Sequence, residues 1–176
     1  MSIFNIVEQA SYYRSYHGNW VNRIIHFISV PIIIYALWIL LGAKTQAILV
    51  VLALYYAALD LLTAVFLVPI LYVLYYFATE TVATMGEDYS FTLAIWLQIM
   101  CWTVQVGIGH FLFEGRKPAL LDSLFQVIIS PAFLTLEFMI DVLGMRKEMG
   151  KEIALRASNE LKREAAFREG KLVYGL

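Results

Sequence analysis

Three histidines are the residues of this chain best suited to chemistry, and they lie in two short polar motifs beside apolar stretches. The first motif, residues 16–26, contains His17 and His26, and the second, residues 107–118, contains His110. An ionisable side chain in or near a bilayer is costly and usually functional. Imidazoles bind Fe, Zn, Cu or Ni, and the ligand type does not choose among them. We therefore expect one metal ion; the alternative is that each histidine caps a helix or snorkels.

Further polar residues share helix faces with these histidines. Asn22 and His26 are four residues apart, as are His110 and Glu114, and Gln105 is about one turn from His110. We expect Asn22, Gln105 and Glu114 to be outer partners that fix the imidazole tautomers. The alternatives for Glu114 are a catalytic role and a place in the metal coordination, which water is the other candidate to complete. The alternative is that residues 114–118 form only a turn between helices. Three histidines exclude the two-iron sites that need eight or more.

Composition indicates a membrane protein. The chain has 176 residues, of which 61% are hydrophobic and 15% charged, and its mean hydropathy is +0.71. Soluble domains are about 25% charged. The net charge of −1 gives no support for a nucleic-acid partner. The absence of a glycine-rich phosphate loop argues against a nucleotide cofactor. The single cysteine excludes an intrachain disulfide.

Hydropathy predicts an all-α, multi-spanning helical membrane bundle. Four stretches predict transmembrane helices, at about 22–42, 46–63, 65–83 and 90–112. An amphipathic helix precedes them over residues 1–20. The stretch 119–143, interrupted at Pro131, predicts a re-entrant or in-plane helix pair. Residues 1–145 then form one membrane-embedded domain, and residues 146–176 a charged cytosolic tail helix.

Basic residues predict the orientation, because loops rich in Lys and Arg face the cytosol and acidic residues count little. The loop 80–88 has three carboxylates and no base. Basic residues occur before the first span, after the fourth and in the tail: Arg14, Arg23, Arg116, Lys117 and eight between positions 146 and 171. Both termini are therefore expected in the cytosol, with Lys44 as the exception. A five-span arrangement would put the basic tail outside.

Three acidic residues in the apolar stretches have alternative interpretations. Asp60 lies in an apolar run, where an acid is a functional candidate by default. A tight turn nearby would make it a helix cap, and we favour that structural interpretation. Glu137 and Asp141 share one helix face. They either pair with Arg116 or Lys117, or line the site entrance.

Two motifs carry a resemblance to a known family. They are Tyr16-His17…Asn22…His26…Pro31 and Gly109-His110…Glu114-Gly115-Arg116-Lys117-Pro118-Ala119-Leu120…Asp122. With them, residues of about 5–145 resemble the Mpo1-like family, formerly a domain of unknown function. A fungal member has a second histidine directly after the one that matches His17, where this chain has Gly18. Either three imidazoles suffice here, or the ligand set differs.

The resemblance implies a membrane dioxygenase that uses Fe(II) and O2. It would shorten a 2-hydroxy fatty acid by one carbon, the α-oxidation step of phytosphingosine breakdown. The iron ligands would be His17, His26 and His110, and Arg116 or Lys117 would hold the substrate carboxylate. The surroundings expected for the acyl chain are Phe27, Trp38, Phe111 and Phe113. The membrane would be the endoplasmic reticulum in a eukaryote and the inner membrane in a bacterium.

Two other classes of function compete with this interpretation. One is a non-enzymatic membrane transporter or scaffold, for which Asp60 and the tight turn between the second and third spans would be the relevant features. The other is a membrane lipid hydrolase with zinc and water in place of iron and O2. Bound metal separates the first from the dioxygenase, and oxygen consumption separates the second.

Overall fold

Helices account for the regular structure of residues 2–169, the part of the chain that the computed structural model describes. The all-α prediction is therefore confirmed. The elements are α1 (Ile6–Ser15), α2 (Trp20–Leu41), α3 (Thr45–Leu59), α4 (Leu61–Met85), α5 (Glu87–Thr103), a π-helix (Val104–Glu114) that continues α5, α6 (Phe125–Asp141) and α7 (Lys147–Arg168). Short 3-10 turns cover Gly42–Lys44 and Ala119–Leu121.

Three helical stretches are long and apolar enough to cross a membrane: Trp20–Leu59, Leu61–Met85 and Glu87–Glu114. Only 17% of the apolar window in the last stretch is buried within the molecule, so its apolar side chains face outward, as lipid-exposed helices require. The protein is a helical membrane bundle. The first stretch is 40 residues long because it contains both α2 and α3, which were predicted as separate spans.

Gly42 ends α2 with φ +53°, a backbone conformation that favours glycine, and α3 then runs back along the bundle. Near the end of α3, the Tyr55 hydroxyl donates to the carbonyl of Ile3 at 2.9 Å. The end of α3 thus lies beside the N-terminal segment. We call this the proximal end of the bundle, where α2 and α4 begin and the π-helix ends. At 15 residues, α3 is about 22 Å long, shorter than the hydrocarbon core of about 30 Å.

Asp60 is a structural cap, as favoured above. Its Oδ2 accepts a hydrogen bond from the backbone N–H of Thr63 at 2.8 Å, which begins α4, and it pairs with Arg146 at 2.6 Å. Burial opposes ionisation of this carboxyl, but the hydrogen bonds from Thr63 and Arg146 outweigh it and hold the pKa of Asp60 below its ordinary value. The charge therefore joins α4 to the start of α7.

Helix α6 lies alongside α1 at the proximal end. Gln126 donates to Gln9 at 3.1 Å, and the hydroxyls of Tyr13 and Ser130 are 2.9 Å apart. Helix α6 thus contacts α1 along its length, and whether the stretch 119–143 begins and ends on one membrane face stays a prediction. The predicted break at Pro131 is wrong, because α6 continues through that residue. Eleven of its 17 residues are buried, and this packing offsets the hydrogen bond that proline cannot donate.

A cluster of charges around the buried Glu137 holds the C-terminal half of α6 against α1 and α2. Glu137 pairs with Arg14 and, at 2.8 Å, with Arg23, which also contacts Asp141 at 2.6 Å. Neither acid pairs with Arg116 or Lys117, so that expectation is wrong. The pairing failed because Arg14 and Arg23 meet α6 only in the folded protein. The alternative that the two acids line the site entrance stays a prediction.

The predicted charged C-terminal helix is α7, and it packs along α1. Its residues Ile153 and Ala157 are buried, and Arg116 pairs with Glu164. The division at position 145 stays a prediction, and residues 170–176 of the predicted tail helix lie outside the described residues.

Candidate metal centre

The three histidines come from three different segments and meet inside the proximal end. His17 lies in the turn between α1 and α2, His26 in the second turn of α2, and His110 in the π-helix. Their exposed fractions are 2%, 5% and 1%, respectively. The Asn19 side chain accepts from the N–H of Val21 at 2.8 Å and so begins α2 directly after His17. The cap therefore helps to fix the position of His17 relative to His26 in space.

The three imidazole rings form a close, nearly perpendicular cluster. Their centroids are 4.5 Å apart for His17 and His26, 4.8 Å for His17 and His110, and 5.0 Å for His26 and His110. The interplanar angles are 82°, 73° and 83°. One ring nitrogen of each residue lies within 4.8 Å of the others, so the cluster could hold a metal ion. The structure thus brings together the three side chains that the two motifs singled out.

Backbone carbonyls fix the tautomers of two of these rings. Nδ1 of His17 donates to the carbonyl of Tyr13 at 2.8 Å, and Nδ1 of His26 donates to the carbonyl of Asn22 at 2.9 Å. Since a carbonyl can only accept, each Nδ1 carries the hydrogen and each Nε2 presents a lone pair. The two Nε2 atoms are 3.3 Å apart. Two facing lone pairs at this distance repel unless a cation lies between them.

The third ring completes a donor set that fits a transition metal. His110 Nδ1 is buried and has no hydrogen-bond partner among the described residues. Burial, and then the neighbouring His26 ring, hold the pKa of His17 well below its ordinary value, so this imidazole is neutral and able to bind metal at neutral pH. Two oriented lone pairs and one unpaired ring nitrogen are what Fe, Zn, Cu or Ni would need, and they do not select among these metals.

Glu114 holds the two motifs together. Its Oε1 accepts from the N–H of Gly18 at 2.9 Å, and its Oε2 from the N–H of Asn19 at 2.9 Å and from Asn22 Nδ2 at 3.2 Å. Both carboxylate oxygens are therefore occupied by the turn that carries His17. In this arrangement Glu114 acts as a clamp on that turn, and its predicted catalytic role stays a prediction.

The other two polar candidates are placed differently from expectation. Asn22 orients His26 through its backbone carbonyl, while its side chain contacts Glu114. Gln105 is buried, but no hydrogen bond joins it to an imidazole among the described residues, and its Nε2 has no partner. Asn22 thus fixes the tautomer of His26, but through its backbone carbonyl and not its side chain. The expected role of Gln105 stays a prediction.

The π-helix explains which residues face the site. Hydrogen bonds in a π-helix join residues five apart, so Gln105 and His110 lie above one another, and both are buried together with Gly109. An α-helix would separate Gln105 from His110 around its axis. The spacing of these residues in the sequence was interpreted with α-helical geometry, so the π-helix was not predicted. Its nearest signal in the sequence is the pair Gly107 and Gly109.

Gly109 allows the π-helix to approach α2 closely, and Gly109→Ala is expected to disrupt the site. An added Cβ would lie 2.4 Å from Asn22 Oδ1, and Asn22 is fully buried beside Glu114 and His26. We expect a loss of about 1–3 kcal/mol in the free energy of unfolding, with weaker metal binding, measured by thermal unfolding and metal analysis. Gly107→Ala is the matched control, because nothing lies within 4 Å of its added Cβ. Equal behaviour of the two variants would contradict this packing.

Arg116 and Lys117 are committed to other contacts. Arg116 donates to the carbonyl of Ser15 at 2.6 Å and its guanidinium lies over the Tyr16 ring, 5.2 Å from the centroid. Lys117 pairs with Asp122. Neither is among the described residues that line the cavity beside the histidines. The expected role in holding a substrate carboxylate thus has no support from their positions.

Gly18 lies on the exposed side of the turn. A Cβ at this position would begin 3.2 Å from Glu114 Oε1. A side chain here would therefore start beside the Glu114 clamp, on the solvent side. This placement favours a ligand set of three imidazoles over one that needs a side chain at position 18.

An apolar cavity of about 150 Å³ begins at the three histidines and is enclosed mainly by α2, α3, the π-helix and α6. Along α2 its lining extends from His26 to Trp38, a distance of about 18 Å. Of the expected acyl-chain surroundings, Trp38 lines this cavity. The expectation for the three phenylalanines is wrong: Phe111 and Phe113 are exposed on the outer face, and Phe27 lines a separate cavity of about 220 Å³.

Comparison with known proteins identifies the family. A family model described as 2-hydroxy-palmitic acid dioxygenase Mpo1-like matches residues 3–142, a range that contains all three histidines. The chain is 30% identical over 146 residues to the 2-hydroxy-palmitic acid dioxygenase MPO1 of Saccharomyces cerevisiae, an alignment that covers 78% of this chain and 81% of the yeast protein. No solved structure matches the chain. The resemblance read from the two motifs is confirmed, and the chain belongs to the Mpo1-like family.

Proposed function

We propose that this protein is an Fe(II)-dependent dioxygenase that shortens 2-hydroxy fatty acids by one carbon. The observation that carries the proposal is the buried cluster of His17, His26 and His110 at one end of a long apolar cavity. A fatty acid needs this combination, because its reacting head must meet the metal while its chain stays out of water. The name of the yeast relative supports the substrate class.

The overall reaction balances without a second organic substrate. A 2-hydroxy acid, RCH(OH)COOH, and O2 give RCOOH, CO2 and H2O, with the bond between C1 and C2 broken. The electrons that reduce O2 come from the substrate, so neither 2-oxoglutarate nor a nucleotide cofactor is required. Bound Fe(II) would supply the centre at which O2 is activated.

The chain's own residues supply orientation and exclusion of water. Carbonyls of Tyr13 and Asn22 hold the rings of His17 and His26, and the Glu114 clamp fixes the turn between them. The Tyr13 ring also stacks on His17, with centroids 3.9 Å apart and planes 4° from parallel. Fixing the reacting groups in this way removes several kcal/mol of barrier.

The bilayer is the partner that this architecture requires, and the distribution of charge supports the proposed orientation. Arg14, Arg23, Arg116 and Arg146 all lie at the proximal end. By the positive-inside rule this end and both termini face the cytosol. In a eukaryotic cell we place the protein in the endoplasmic reticulum, and in a bacterium in the inner membrane.

The decisive experiment is anaerobic loading of the purified protein with Fe(II), followed by 2-hydroxypalmitate and O2. We expect about one iron per chain, O2 consumption, CO2 release and the fifteen-carbon fatty acid, because one ion fits the triad. A protein that binds zinc and hydrolyses lipid without O2 would replace the proposal with a hydrolase. A protein that binds no metal would favour the transporter or scaffold.

A further inference from the structure

Four buried polar atoms of residues that line the cavity have no hydrogen-bond partner in the part of the chain that the structure describes. In the described part of the chain, the buried side-chain atoms of this kind are Asn22 Oδ1 and four that belong to cavity residues: His110 Nδ1, Gln105 Nε2, Gln126 Oε1 and Trp38 Nε1. Leaving such atoms unpaired is costly, so folded proteins rarely do so without a reason. A metal ion would satisfy His110 Nδ1, and an occupant with its own polar groups would satisfy the other three.

The free atom of Gln126 is an acceptor, and the surrounding network fixes this assignment. Gln9 Nε2 donates to the carbonyl of Ser2 at 2.9 Å, so Gln9 Oε1 must face Gln126. Gln126 Nε2 therefore donates to Gln9 Oε1 at 3.1 Å, and Gln126 Oε1 is the atom left without a partner. Rotating the Gln126 amide would place two oxygens against each other. Both glutamines are 1% exposed, so water does not compete.

An unpaired acceptor at this position needs a donor on the substrate. An ionised 2-hydroxy fatty acid has one hydrogen-bond donor, the hydroxyl on C2, whereas an ordinary fatty acid has none. We propose that Gln126 accepts the hydrogen bond of this 2-hydroxyl and thereby selects 2-hydroxy fatty acids over unhydroxylated ones. Gln9 is a positioning residue that keeps the acceptor turned towards the cavity. This inference rests on the function proposed above.

The placement of Gln126 supports this role. On α6 it lies one turn before Ser130, whose hydroxyl contacts Tyr13, and the Tyr13 ring stacks on His17. Gln126 and His17 line the same cavity. Gln126 and the metal cluster therefore border the same apolar space. A site built to bond a hydroxyl discriminates strongly against the analogue without it, because the analogue leaves the buried acceptor unpaired.

The test measures binding of two fatty acids, 2-hydroxypalmitate and palmitate, to the iron-loaded protein without O2. We expect the wild type to prefer 2-hydroxypalmitate by at least about tenfold, and Gln126→Met to reduce this ratio towards one. Gln9→Met is expected to lower the ratio partly, since the Gln126 amide is then free to rotate. Gln9→Glu is the matched control, because a protonated carboxyl both donates to Ser2 and accepts from Gln126, and it should keep the ratio.

The outcomes separate this inference from the proposed function. A wild-type preference that survives in Gln126→Met overturns the role of Gln126 and leaves the dioxygenase proposal intact. A wild type that binds neither fatty acid overturns both. Thermal unfolding and iron content of each variant confirm that the comparison is made on folded, loaded protein. If Gln126→Met does not fold, Gln9→Met supplies the result, because a ratio equal to that of Gln9→Glu would then overturn the role of Gln126.

Discussion

Replacing His110 with alanine is expected to abolish iron binding and activity together. The variant loses one of the three nitrogens that lie within 4.8 Å of one another, and the ring it loses is 1% exposed. Removing only an outer partner of a metal ligand typically costs 10–100-fold in affinity, so losing the ligand itself costs at least about that much. Iron per chain after anaerobic loading, together with product analysis, measures the effect.

The control for this variant lies next to it in the chain. Phe111 is 63% exposed on the outer face of the same π-helix, so Phe111→Ala removes a large side chain without touching the cluster. We expect it to keep iron and activity. If His110→Ala loaded iron as well as Phe111→Ala, the three histidines could not be the metal ligands.

Glu114→Ala is expected to weaken iron binding by about 10–100-fold, as loss of an outer partner does. The change leaves three donors without their acceptor: the N–H groups of Gly18 and Asn19 and the side chain of Asn22. Because hydrogen bonds to a charged group are worth about 1.5–3 kcal/mol each and the turn is partly hydrated, we expect a loss of about 3 kcal/mol in the free energy of unfolding. Titration with iron and thermal unfolding measure the two effects.

Glu114→Gln distinguishes a clamp from a catalyst. Glutamine keeps one acceptor oxygen, so a clamp predicts iron affinity and stability between those of the wild type and of Glu114→Ala. A direct proton-transfer role predicts the opposite pattern, with turnover lost and iron affinity unchanged. The second pattern would restore Glu114 to the catalytic role that the motif suggested and remove the clamp as its main contribution.

The histidine cluster could be predicted from the sequence because hydropathy gives the number of spans and the span end at which each histidine lies. His17 and His26 flank the start of one span and His110 lies near the end of another, so any antiparallel bundle of four segments brings them to one end. The capping role of Asp60 was similarly accessible, since its residue type favours helix starts. These features depend on local chemistry and on the period of the apolar pattern.

Other features depend on contacts between distant segments. Gln9 and Gln126 are 117 positions apart in the sequence, and the ion pair between Arg14 and Glu137 joins residues 123 positions apart. Pro131 predicted a break because proline removes a backbone donor, but the packing of α6 against α1 outweighs that local cost. The π-helix has no distinctive sequence pattern, so the common face of Gln105 and His110 could be seen only in the folded chain.

The position of α1 and α6 across the proximal end determines how reactants reach the histidines. Tyr13 of α1 contacts both His17 and Phe133 of α6, so these two helices separate the cluster from the aqueous phase. The apolar cavity, in contrast, extends into the part of the bundle that lipid surrounds. Under the proposed function, the supply of substrate is therefore the mole fraction of hydroxylated acyl chains in the leaflet. Diluting that leaflet with inert lipid is then expected to lower turnover even when the total amount of substrate is constant.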